Sequence, residues 1–128
     1  MDTKDDIELF KKLEQQLHSF LGEMSDLSHK KPNDPVNKFK LKFLNTTLVS
    51  INKIIKDYRP LEDFEQFDVD SLPTNSDVVL VLSQYAGATL RFRTDNTVYE
   101  HGIGYWAVRG KKTDLRAGDP RDHKYHPR

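Results

Sequence analysis

The fold class depends on one stretch of sequence, residues 78–94, which runs VVLVLSQYAGATLRFRT. Its first five residues, taken alone, fit a buried β-strand as well as a buried helix. Over the whole stretch, however, the polar residues fall within a sector of about 100° on a helical wheel. Only Leu80 and Arg93 lie on the wrong side of that wheel. The periodicity therefore favours an amphipathic helix.

Local signals both support and oppose this helix. Thr74 and Asp77 have the spacing of a capping box immediately before it. The β-branched run and Gly87 disfavour helix, by up to about 1 kcal/mol each. We predict a helix over about residues 76–94. The alternative is an α+β fold in which residues 78–116 form an antiparallel sheet.

Towards the N-terminus, a first helix has the clearest pattern in the chain. Thr3 and Asp6 have capping-box spacing, and a breaker-rich segment begins near Ser28. This predicts a helix over about residues 4–28. Its apolar stripe has members three and four residues apart, namely Ile7, Phe10, Leu13, Leu17, Phe20, Met24 and Leu27.

A second helix is predicted over about residues 35–59. Asn33 or Asp34 can cap it, Pro35 suits its first position, and Pro60 ends it. Its apolar residues fill an arc of about 200° at 100° per residue. Because so wide an arc requires burial on two sides, we expect this to be the central helix. The arc contains Val36, Phe39, Leu41, Phe43, Leu44, Leu48, Ile51, Ile54, Ile55 and Tyr58.

The connection over residues 60–76 is long, acidic and interleaved with apolar residues. Connections of this length usually have a function or pack on something. We expect it to lie across the bundle as a lid, and Phe64 and Phe67 are its candidate binding residues.

Residues 97–128 differ in character from the helices. Short aromatic and β-branched segments alternate with glycines, and Gly110-Lys111-Lys112 is typical of a hairpin turn. The prediction is thus a mainly α, three-helix bundle with a C-terminal β-hairpin and a basic tail. We expect one domain, 1–128, with a helical core over 1–96 and the hairpin and tail over 97–128.

Composition excludes several classes of protein. The 128 residues include no cysteine, which rules out disulfides, thiolate zinc sites and cysteine nucleophiles. The longest apolar run is Val78 to Leu82, far short of the ~20 residues that a membrane helix needs. The acidic N-terminus has no apolar segment behind it, so no secretory signal is indicated. We expect a cytoplasmic protein without membrane contact.

Charge is sorted along the chain although the net charge is zero. The net charge is −4 over residues 1–29, +6 over 30–59, −6 over 60–79 and +4 over 80–128. Such blocks can attract one another within the fold. Alternatively, the two basic blocks can merge into one face for an acidic partner.

Enzymatic chemistry has only weak sequence signals. The acidic loop over residues 62–70 could hold a divalent metal, which predicts a concave pocket. Several of five residues would converge there, namely Glu62, Glu65, Asp68, Asp70 and His101. Its spacing completes no calcium loop, and a solvated loop or lid is the simpler interpretation. A tail site is a second possibility, but prolines interrupt it; its ligands would be Asp119, Asp122, His123 and His126. We therefore predict no catalytic residue, no metal and no cofactor.

Two binding functions remain. Cations with planar rings are typical of single-strand binders, and the candidates are Tyr105, Trp106, Arg109, Lys111, Lys112 and Arg116. Alternatively, Tyr105 and Trp106 anchor the hairpin on the helices. The apolar surface of the helices and the unpaired hairpin edges also favour self-association.

The sequence thus predicts a small helical protein-interaction or regulatory module that forms a homodimer or binds another protein. Proteins of this sort are encoded by bacteria or their phages. The second hypothesis is a nucleic-acid-binding module that uses the basic aromatic tail. The third is a metal-dependent hydrolase or nuclease that uses the 62–70 loop.

Overall fold

The computed structural model describes residues 1–118, which fold into three helices followed by a three-stranded sheet. The helices are α1 (Lys4–Lys30), α2 (Lys38–Ile55) and α3 (Asn75–Asp95), and the strands are β1 (Thr97–Glu100), β2 (Ile103–Val108) and β3 (Lys111–Arg116). A single 3-10 turn, Lys56–Tyr58, extends α2. The class is mixed α+β and not mainly α. The end of the predicted basic tail, including the metal-site residues His123 and His126, lies outside the described residues.

Capping boxes begin two of the helices, as their spacing predicts. The hydroxyl of Thr3 accepts the N–H of Asp6, and the Asp6 carboxylate accepts the N–H of Thr3 in return. Thr74 and Asp77 repeat the arrangement at α3. Each box satisfies backbone donors that a helix start would otherwise leave unpaired.

Residues 78–94 are helical, so the alternative sheet over 78–116 is wrong in extent, although the α+β class that it implied is correct. The two residues on the wrong side of the wheel differ in their exposure. Leu80 is 64% exposed, whereas Arg93 is buried on the apolar side.

α1, not α2, occupies the central position among the helices. It packs against both α2 and α3, whereas α2 and α3 contact each other little. α2 begins at Lys38 with Asn37 as its cap, so Asn33, Asp34 and Pro35 precede it. The expectation of a central α2 is wrong because part of its apolar arc faces solvent; Phe39 is 77% exposed.

The acidic connection fills the space that α2 and α3 leave between them. The side-chain amide of Asn45 donates to the carbonyl of Phe67 and accepts its N–H, both at 2.8 Å. The ring of Phe64 lies 6.2 Å from that of Tyr85 on α3, and Arg59 donates to the Phe64 carbonyl at 2.7 Å. The connection therefore lies across the helices, as expected of a lid, and part of it is core.

The sheet is an antiparallel meander in the order β1-β2-β3. Its first turn is His101-Gly102 and its second is Arg109-Gly110, and all four residues have positive φ. Two such residues in succession are what a type I′ turn requires, which explains the glycine in second place. The predicted turn at Gly110-Lys111-Lys112 is thus one residue too late, and β1 makes the predicted hairpin a three-stranded sheet.

The inner side of the sheet packs on the helices through Trp106, which is 1% exposed. Its ring lies 5.7 Å from that of Phe10 on α1, which in turn lies 5.0 Å from Phe92 on α3. The N-terminus closes the same corner, because the carbonyl of Met1 accepts the N–H of Arg109 at 2.9 Å. Within residues 1–118, no helix combines the length and apolar character that spanning a membrane would require.

Candidate functional site

The eight candidate binding residues lie in two parts of the structure. Phe64 and Phe67 belong to the connection between α2 and α3, where Phe67 is buried and Phe64 partly buried. The other six belong to β2, β3 and the turn between them. These six are Tyr105, Trp106, Arg109, Lys111, Lys112 and Arg116.

Trp106 and Phe67 are core residues in this conformation. Trp106 contacts Phe10, and Phe67 is held by Asn45. The interpretation of Trp106 as a hairpin anchor therefore describes its setting better than that of a stacking residue. Tyr105 is partly exposed on the opposite side of β2, and the side chains of Arg109, Lys111 and Arg116 are in solvent.

Beneath Trp106 lies a buried ion pair that joins α1, α3 and the end of β3. The guanidinium of Arg93 donates to the carboxylate of Glu14 at 2.6 Å, and both side chains are almost fully buried. A second nitrogen of Arg93 donates to the carbonyl of Ala117 at 2.6 Å, and the guanidinium carbon lies 4.6 Å from the Trp106 ring centroid. The arrangement satisfies a buried charge with a carboxylate, a carbonyl and a π-face.

This ion pair was not predicted, although the sequence contains a signal for it. Arg93 was one of the two exceptions on the α3 wheel, and Glu14 lies beside Leu13 and Leu17 of the α1 stripe. Two opposite charges on apolar faces of neighbouring helices indicate a buried pair, because an unpaired buried charge is too costly.

Exposed aromatic side chains lie along the seam between α1 and α2. Phe39 and Phe43, one turn apart on α2, are 77% and 55% exposed, and the ring of Phe43 lies 5.5 Å from that of Phe20 on α1. We call Phe20, Phe39 and Phe43 the α1–α2 aromatic face. All three were expected to be buried, since they belong to the apolar stripes of α1 and α2. Periodicity shows which side of a helix is apolar, but it does not show what covers that side.

Polar contacts hold the two helices in register beside this face. The ammonium of Lys40 lies 2.8 Å from the Glu23 carboxylate, and the hydroxyl of Thr47 donates to Gln16 at 3.1 Å. The helices carry opposite charge. α1 contains six acidic and four basic residues, whereas α2 contains four lysines and no acidic residue.

The acidic loop does not converge on a pocket with His101. Glu62, Glu65, Asp68 and Asp70 are exposed, and His101 lies exposed in the β1–β2 turn. Among residues 1–118, no group of three acidic or histidine side chains is arranged to hold a metal ion. The Asp68 carboxylate instead accepts the N–H of Asp70 at 2.9 Å, which lowers the pKa of Asp68. That contact is an Asx-turn, which stabilises the loop itself.

Comparisons with known family models, with curated proteins and with solved structures find no match for this chain. The surfaces described above are therefore the basis on which a function can be proposed.

Proposed function

We propose that this protein is a small interaction module that acts as a homodimer, joined through the α1–α2 aromatic face. The observation that carries the proposal is the exposure of Phe39 and Phe43, at 77% and 55%, on a helix whose other apolar side chains are buried or partly buried. Burying one phenylalanine side chain is worth about 1.5–3 kcal/mol. Two such rings on one helix, next to a third on α1, favour a partner that covers them together.

Charge favours a second copy as that partner. A two-fold axis parallel to the helices, above the seam between α1 and α2, sets α1 of one chain against α2 of the other. The net charge is −2 on α1 and +4 on α2, from the counts of acidic and basic residues given above. The pairing thus brings opposite charges together twice, as an isologous interface requires. An axis perpendicular to the helices would instead set α2 against α2, lysines facing lysines.

Light scattering after size-exclusion chromatography tests the proposal. At micromolar concentration we expect a particle of twice the 14.9 kDa chain mass. The double variant Phe39→Ser/Phe43→Ser should elute as a folded monomer, because both rings leave the interface while the core keeps its contacts.

The matched control is Leu80→Ser. Leu80 is also a largely exposed apolar residue, but it belongs to α3, and its loss should leave the dimer mass unchanged. A wild-type chain that remains monomeric throughout the concentration series would refute the proposal. So would a dimer that survives the double phenylalanine substitution.

A further inference from the structure

The outward side of the sheet presents a continuous row of side chains across three strands. The register pairs Val98 with Tyr105 and Tyr105 with Arg116, and paired residues share one face of a sheet. Because side chains alternate along a strand and Trp106 points to the core, this row faces away from the helices. We call Val98, Glu100, Tyr105, Lys112 and Arg116 the outer sheet face; the Arg109-Gly110 turn and Lys111 lie at its edge.

This part of the chain carries uncompensated positive charge. Residues 97–118 contain four basic side chains, Arg109, Lys111, Lys112 and Arg116, and two acidic ones, Glu100 and Asp114. Glu100 pairs with Lys112 at 2.7 Å, and Asp114 pairs with Lys4 from α1 at 3.2 Å. Within residues 1–118, the side chains of Arg109, Lys111 and Arg116 form no ion pair.

A π-face lies between these cations. The ammonium of Lys112 lies 4.7 Å from the centroid of the Tyr105 ring, and Lys112 is exposed. The ring face that it covers is therefore directed to solvent. Lys112 remains charged, because its hydrogen bond to Glu100 raises its pKa, so it can exchange the ring for an anionic group without losing a proton.

We propose that the outer sheet face, with Arg109 and Lys111, binds single-stranded nucleic acid. Phosphates would contact Arg109, Lys111 and Arg116, and a base would stack on Tyr105 when Lys112 turns to the backbone of the nucleic acid. Single strands leave base faces free for stacking, whereas a duplex offers this surface only phosphates. An acidic polypeptide would match the charge but would leave the ring without a planar partner. The site shares no residue with the α1–α2 aromatic face, so it does not rest on the proposed dimer.

Fluorescence anisotropy with the full chain tests the proposal. The probes are a short mixed-sequence single-stranded oligonucleotide, the same sequence as a duplex, and polyglutamate of similar length. At low salt we expect binding of the single strand to be tighter than that of either competitor. The affinity should fall steeply with salt, because cation–phosphate contacts release counterions.

Two sets of variants separate stacking from charge. Tyr105→Leu should weaken single-strand binding by about tenfold, whereas Tyr105→Phe should keep it, since both substitutions remove the hydroxyl but only Phe retains the ring. The triple variant Arg109→Ser/Lys111→Ser/Arg116→Ser should lower the salt slope by about 2, given about 0.7 per phosphate contact on single strands.

A second triple variant is the matched control for net charge. Lys12, Lys30 and Lys31 are exposed on or next to α1, and none of them belongs to the sheet. Changing all three to Ser removes the same charge. That variant should keep most of the affinity and the full salt slope. Equal loss in both triple variants, equal affinity for polyglutamate, or no binding at low salt would each overturn the proposal. Circular dichroism confirms that each variant is folded.

Discussion

The junction of α1, α3 and the sheet contains the same kinds of side chain as the α1–α2 aromatic face, in opposite settings. At the junction, Glu14 and Arg93 are buried as an ion pair under Trp106. On the aromatic face, Phe39 and Phe43 are exposed, and the neighbouring pair Lys40–Glu23 lies in solvent. The junction thus buries charged side chains, whereas the aromatic face exposes aromatic ones. The first arrangement satisfies its charges within one chain, whereas the second leaves two rings exposed, which is why we propose a partner for it.

Breaking the buried ion pair should have the largest effect on stability. Glu14→Leu leaves the Arg93 guanidinium buried without its carboxylate, so we expect a loss of about 3–5 kcal/mol in the free energy of unfolding. Urea denaturation followed by circular dichroism measures it. The exposed pair Lys4–Asp114 is the control, because Lys4→Met should cost less than about 1 kcal/mol.

The double variant Glu14→Leu/Arg93→Met sharpens the test. With both charges gone, most of the loss should be recovered, since a buried pair often contributes little net stability over apolar residues of similar size. The carbonyl of Ala117 would still lack its donor, which limits the recovery. If Glu14→Leu were no more costly than Lys4→Met, the pair would not be a structural contact of the junction.

These two regions also show what the sequence could predict. Features that depend on neighbouring residues were predicted well: α1 and α3 are within a few residues of their expected bounds, and both capping boxes form. The exposure of the outer side of α2 was not predicted. Phe39 fits the apolar period of the helix as well as Leu41 does, although nothing within residues 1–118 covers it. Periodicity reports which side of a helix is apolar, and burial depends on where the other elements lie.

The buried ion pair at the junction could not be predicted from local sequence for a related reason. Glu14 and Arg93 are 79 positions apart, and their pairing follows from the packing of α1 on α3. β1 was not predicted as a strand, because a glycine between two short apolar segments does not by itself show whether it separates them or forms a turn between two strands. His101-Gly102 forms such a two-residue turn. Among the candidate site residues, Trp106 gave no local sign of whether its ring would be buried or exposed. Its setting depends on Phe10, more than ninety positions away in the sequence.

A charge reversal on the aromatic face should have an intermediate effect, on association and not on folding. Lys42 precedes Phe43 on α2 and is exposed, so the proposed axis sets it towards the acidic α1 of the second copy. Lys42→Glu should weaken the dimer by about tenfold through like-charge repulsion, as measured by sedimentation equilibrium. The control Lys111→Glu, on the hairpin, should leave the dimer constant unchanged.

The compensating change tests the direction of the axis. Adding Glu23→Lys to Lys42→Glu should restore part of the dimer affinity, because opposite charges again meet across the interface. The recovery is partial, since Glu23→Lys also breaks the exposed Lys40–Glu23 pair within each chain. An axis that sets α2 against α2 predicts a different outcome. There Lys42→Glu would tighten the dimer or leave it unchanged, and Glu23→Lys would not compensate.

The smallest expected effect is a pH dependence at the first turn of α1, which supports the junction from its N-terminal end. The pKa of Asp6 lies below its ordinary value of 3.8, chiefly because its carboxylate accepts the backbone N–H of Asp2, and also that of Thr3. A carboxyl whose pKa is lower in the folded state stabilises the fold fully above its unfolded pKa, and it loses that contribution as the pH falls through the folded value.

Asp6→Asn should therefore cost about 0.5–1 kcal/mol at neutral pH. The difference between variant and wild type should shrink once the pH falls below 3.8, and it should vanish only when the pH has passed through the lowered pKa of Asp6 in the folded state. Urea titrations at neutral and acidic pH measure both quantities, and a difference that persists undiminished in acid would show that the capping box does not depend on the charge of Asp6.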